Sequence, residues 1–164
     1  MIKKIAVAFI VLALSAGVAG CTVSQASTED QYGRYLSELN SGNADFGLAR
    51  AQYDQASQAF SGGIDYDAID AMATACDDYD QAMEHYAHMA GYANGPDQRD
   101  YAAALQSYAQ SCMYVASAYL AAYKASDRGD RLKMDASFAE AAAFVAQANE
   151  YHDKAVKLQP MAIV

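Results

Sequence analysis

From Tyr32 to Ala155, apolar side chains return at alternating steps of three and four residues, and this rhythm narrows the folds open to the chain more than any other feature. Such spacing keeps one stripe on one side of a helix, so each stretch that carries it is a rod with a single face to hide. The first stretch is Tyr32, Tyr35, Leu39, Gly42, Phe46, Ala49, Tyr53, Ala56 and Phe60. The stepping resumes through Ile69, Met72, Cys76, Tyr79, Met83, Tyr86, Ala90 and Ala93, and then through Tyr101, Leu105, Tyr108, Cys112, Val115, Tyr119 and Ala122. A last run holds Met134, Phe138, Ala141, Val145, Ala148, His152 and Ala155.

The residues between these runs are helix stops and starts. Thr28 followed by Gln31 fits a capping box. Ser61-Gly62-Gly63 halts the first rod, and Asp65 can cap the second. Pro96, after Asn94-Gly95, suits a first helical turn. Gly129 and Asp130 supply a C-cap and then an N-cap, the simpler reading of an Arg128-Gly129-Asp130 sequence that also spells an integrin-type tripeptide. Gln159-Pro160 closes the last run. Helices are expected over 29–61, 66–94, 96–128 and 131–158. Asn40-Ser41-Gly42-Asn43 is a poor helix former, but the phase survives across it; a break there would give five helices. Short connections leave no room for crossovers, so neighbours run antiparallel. The expected fold is all-α, an antiparallel up-down-up-down four-helix bundle over 29–159 with long helices and short turns. Stacked helix hairpins share the period, but no self-similar repeat of that kind is present.

Ahead of the bundle stand Lys3 and Lys4, an apolar run from Ile5 to Leu14, and Val18-Ala19-Gly20-Cys21. This leader resembles the signal peptide and lipobox of prokaryotic lipoproteins. The resemblance covers the first 21 residues alone and implies that residues 1–20 are removed and that Cys21 carries a diacylglyceryl group. It also implies a membrane anchor with a polar tether over 21–28. The expected location is the outer side of the cytoplasmic membrane or, in a two-membrane cell, the outer membrane facing the periplasm. Thr22 stands where an Asp would be associated with inner-membrane retention. An uncleaved membrane helix is the competing reading, and the apolar stretch is shorter than the roughly 20 residues a span needs.

Loss of Lys3 and Lys4 would move the net charge from −9 to −11. Phosphate backbones require the opposite sign, so the overall balance opposes non-specific binding to nucleic acid, and no nucleic-acid partner is expected. No Lys or Arg falls between Arg50 and Arg99, whereas Asp54, Asp65, Asp67, Asp70, Asp77, Asp78, Asp80, Glu84 and Asp97 do. The second helix therefore offers an acidic face. Lys124, Arg128, Arg131 and Lys133 cluster at the third connection, at the same end as the start of that helix, where charge pairing is expected.

With Cys21 assigned to the lipid, Cys76 and Cys112 remain. Folding back about residues 94–95 puts them in one layer of adjacent helices, and a disulfide is expected; two buried free thiols fit the same positions. Di-iron bundles need inward carboxylates and Glu-x-x-His pairs, which the stripes lack. His85 and His88, with Glu84 beside them, share a helix side and have spacing for a surface divalent metal, with solvated side chains as the simpler account. His152 falls on the fourth stripe near the layer expected for Tyr35 and Leu105, so it reads as a buried histidine bonded to a tyrosine hydroxyl, with haem ligation as the sharper option. Thirteen tyrosines and no tryptophan point to a semi-polar interior, packed or holding a cavity.

No nucleophile, base and oxyanion arrangement can be assembled, so no catalysis and no resident cofactor are expected. The leading expectation is a non-enzymatic, lipid-anchored envelope protein whose bundle meets another envelope or extracellular protein. The alternative is a carrier of a small ligand, haem or a metal, using the tyrosine-rich interior around His152 or the acidic face of helix two.

Overall fold

The computed structural model describes residues 23–61 and 66–163, and every element within them is an α-helix. α1 spans Val23–Ser61, α2 Tyr66–Gly91, α3 Pro96–Asp127 and α4 Arg131–Ala162. Tyr35, Gln98 and Ala162 meet at one end, while Phe60, Tyr123 and Phe138 meet at the other. His85 lies against Glu38, which turns α2 the opposite way to α1. The chain is thus the up-down-up-down four-helix bundle that its rhythm implies. The leader, Cys21 and the Gly62–Asp65 connection lie outside the described residues. α1 begins at Val23, ahead of the expected start at Thr28, and is unbroken through Asn40–Asn43.

The buried stripes explain how closely the rods pack. α1 covers Gly42, Ala49 and Ala56 beside α2, and α2 covers Ala68, Ala75 and Ala82 completely. α3 has a neighbour on either side and buries two small-residue stripes, Ala102, Ala109 and Ala116, and Ala104, Ser111, Ala118 and Ala125. α4 buries Ala141, Ala148, Ala155 and Ala162. Small side chains let backbones approach, so α1 lies along α2, α2 along α3 and α3 along α4. Among the described residues no Cα of α1 comes within 8 Å of one in α4. That fourth seam is spanned by long side chains instead, with the Phe60 and Phe138 rings 6.2 Å apart.

Gly42 has a specific reason to be glycine. A Cβ there would sit 2.7 Å from Cε1 and 2.9 Å from Cδ1 of the Tyr86 ring. Past the glycine, the Tyr86 hydroxyl donates to Asn43 Oδ1 at 2.9 Å. The weak helix-forming stretch is therefore the seat of a buried tyrosine of the facing helix.

Gln98 ties one end together. Its carbonyl accepts from the Tyr35 hydroxyl at 3.3 Å, its Oε1 accepts from the Asn94 N–H at 2.7 Å, and its Nε2 donates to the Ala162 carbonyl at 3.2 Å. Tyr32 donates to the Ile163 carbonyl at 3.4 Å. The last carbonyls of α4 thus find partners on other helices, and α4 runs on through Pro160 to Ala162 instead of stopping near Leu158. The α3–α4 turn is closed by two caps. Gly129, at φ +70°, donates to Ser126, and Asp130 N–H donates to Ala125, both at 2.9 Å. The Asp130 side chain then accepts from Lys133 N–H at 3.1 Å, so the expected C-cap and N-cap follow each other directly.

Candidate functional site

The wide seam between α1 and α4 holds the richest set of chemistry-bearing side chains. Midway along it, the Phe46 ring lies 4.9 Å from that of Tyr108, which lies 5.3 Å from the His152 imidazole. Toward the Phe60 end, Tyr53 meets Tyr119 edge-on at 5.5 Å, Tyr119 meets Phe138 at 5.5 Å, and Phe60 stacks on Tyr123 at 3.9 Å. The edge-on pairs among these are a favoured arrangement, each worth about 0.5–1.5 kcal/mol beyond burial. The rings fill the gap that the backbones leave.

His152 is a half-exposed member of this row, and its Nδ1 lies 3.6 Å from the Asp153 carboxylate. Of the expected layer with Tyr35 and Leu105, the α3 half holds, because the Tyr114–Phe144 and Tyr119–Phe138 contacts put His152 level with Leu105, but Tyr35 is not part of it. Tyr32 beside Ile163 and Phe60 beside Phe138 fix the register of α1 and α4, which brings His152 level with residues near Phe46. Tyr35 belongs instead to the Gln98 end, fully buried and bonded to the Gln98 carbonyl.

Burial raises the pKa of Tyr108 and Tyr79, with the neighbouring Cys112 adding to it and the Arg50 guanidinium partly opposing it. Burial likewise pushes Cys112 up to about 12, against smaller opposite effects of Tyr108 and Arg50. The layer of Arg50, Tyr79, Tyr108 and Cys112 is therefore a set of neutral phenols and a protonated thiol beside one cation. A thiol held this high is a poor nucleophile at neutral pH, because the thiolate is the reactive form.

The expected cystine is absent, and Cys76 and Cys112 are both free thiols. Cys112 keeps company with Tyr108 and Arg50, whereas the charges acting on Cys76 are those of Asp77 and Lys124. Burial pushes Cys76 up to about 11. The two share a level of the bundle but not a direction. α2 buries the stripe Met72, Tyr79 and Tyr86 beside an alanine stripe, which leaves Ile69, Cys76, Met83 and Ala90 half-exposed on its flank.

His85, His88 and Glu84 do not converge. His85 turns toward α1, its Nδ1 2.7 Å from Glu38 Oε2 and its Nε2 3.4 Å from Asp45 Oδ2, while His88 and Glu84 are exposed. An imidazole with a carboxylate at each nitrogen is satisfied on both sides only as a double donor. Glu38 and Asp45 lie seven residues apart on one side of α1, a spacing legible in the sequence that the apolar stripes overshadowed. Asp45 also helps to raise the pKa of Asp78, after the larger effect of burial, so it joins the histidine to the acidic side of α2. Among the described residues no group of three or more His, Cys, Asp and Glu is arranged to hold a metal ion.

The geometry thus offers a filled aromatic seam, a polar tie between α1 and α2, and an acidic flank, with the buried phenols and the two thiols held in their neutral forms. No family model matches the chain, and comparison with curated proteins and with solved structures finds no match.

Proposed function

We propose that this chain is a lipid-anchored envelope protein that acts by presenting the outside of a stiff helical bundle to another component of the envelope or its surroundings, without chemistry of its own. The observation that carries the anchor is the order of Lys3-Lys4, an apolar run and Val18-Ala19-Gly20-Cys21 directly ahead of α1. Among the described residues no helix is long and apolar enough to cross a membrane, so on this reading the lipid alone would attach the bundle. A presenting role is supported by the interior, where ring-on-ring contacts occupy the volume a small ligand would need. Mass analysis of the N-terminal peptide from protein made in its own host tests the anchor: Cys21 should be the first residue and carry the lipid mass. Cys21→Ser should yield unlipidated precursor, and an unmodified Cys21 in the wild-type chain would overturn the reading.

The carrier reading keeps one favourable observation, the half-exposed His152 against Tyr108 on the wide seam. Native mass spectrometry separates the two. Persistent extra mass that disappears in His152→Ala would establish a carrier, and a mass equal to that of the lipidated chain alone favours the presenting module.

A further inference from the structure

We infer that the α3–α4 turn is a binding tip for a phosphate-bearing anionic polymer. Lys124, Arg128, Arg131 and Lys133 fall within ten residues of a chain whose net charge is −9, and all four are exposed. None of the four makes an ion pair among the described residues, although pairing with the acids that open α2 is what the sequence leads one to expect. Three of them line a shallow, open depression of about 380 Å³: Lys124, Arg128 and Lys133 border it together with Asp130, Ala121 and Ala125. The Asp130 carboxylate is already engaged in capping α4. Asp127 and Asp135 are exposed nearby but do not line the depression.

Two properties of this place point to a ligand. The Gly129 and Asp130 caps fix the backbone of the turn, so the stems that carry the cations project from set positions and only their side chains remain to be ordered on binding. An arginine and two lysines around a shallow, alanine-lined hollow match phosphate oxygens, for which a guanidinium offers a two-pronged donor. A single exposed charge contact is worth at most about 1 kcal/mol, so a monovalent ion would gain little here. A polymer bearing several phosphates engages all the cations together and releases its counterions. The tip is also at the opposite end of the bundle from Gln98 and from the start of α1. On the anchored-module reading, on which the identity of the partner rests, it would face away from the membrane that holds the protein.

The test uses the full-length protein in neutral detergent, titrated with medium-chain inorganic polyphosphate in about 0.1 M salt, where a Debye length of ~10 Å screens the distant acidic face of α2. Binding should occur, and should fall about tenfold or more in Arg128→Gln/Lys133→Gln, which alters only exposed side chains and should leave helicity unchanged. Lys154→Gln/Lys157→Gln, with the same change in net charge elsewhere on α4, should bind within about twofold of wild type. Absence of binding, an equal loss in both double variants, or stronger binding to phosphatidylglycerol vesicles than to polyphosphate would overturn the proposal. Because the lipid on Cys21 is read separately from the N-terminal peptide, either idea can fail without the other.

Discussion

At the scale of single residues, the sharpest expectation concerns Gly42. Alanine there gains about 1 kcal/mol of helix propensity, yet its Cβ would drive into the Tyr86 ring, which is fully buried and cannot swing away. Overpacking of that kind costs about 1–3 kcal/mol, and displacement also breaks the Tyr86–Asn43 hydrogen bond. Gly42→Ala should therefore lower the melting temperature, whereas Gly47→Ala, with nothing within 4 Å of its added Cβ, should raise it or leave it unchanged. The thiols give a second check. Denatured but unreduced protein should titrate with two reactive thiols from Cys76 and Cys112, and in the native state Cys112 should react far more slowly than an exposed cysteine. These details show where reading the sequence stops. A glycine in a weak stretch announces a soft spot, and only the facing helix reveals that it is a seat. Gln98 reads as an ordinary polar residue in a first turn, because nothing local records three partners from three different parts of the chain.

At the scale of helices, the seven-residue rhythm was enough to place four rods and their directions, because a stripe of large side chains has only one face. It was not enough to orient them finely. Alanine is equally at home inside and outside: Ala141, Ala148 and Ala155 are buried, while Ala136, Ala139, Ala142 and Ala143 on the same helix are exposed. The covered alanine stripe of α2 was invisible for that reason, and the resulting rotation is what carried Cys76 onto a flank. The register of α1 against α4 was missed because α4 continues past Pro160, where Gln98 and Tyr32 supply partners that the local sequence does not display. The same arrangement predicts unequal stability. α4 lies along α3 alone, and its second flank of Phe138, Val145 and His152 remains half-exposed. Native-state hydrogen exchange should find the central amides of α4 less protected than those of α2 and α3, with α4 opening as a unit below the global unfolding free energy.

At the scale of the whole molecule, the tyrosine interior sets the response to pH. Burial holds the phenols of Tyr35, Tyr53, Tyr79, Tyr86 and Tyr108 above their ordinary value, and that of Tyr101 at about 12. Unfolded chains ionise these groups near pH 10, so the stability they contribute is complete below that pH and is lost as pH rises above it. The absorbance of the buried tyrosinates should appear together with the loss of helix content in one cooperative alkaline step, since these phenols cannot ionise until the bundle opens; ionisation of all thirteen tyrosines with helicity intact would contradict the packing described. The unequal seams also bear on assembly. As the chain is delivered from its N-terminal end, every helix after α1 finds a main neighbour already present, and none has to wait longer than the next helix in sequence for its mate.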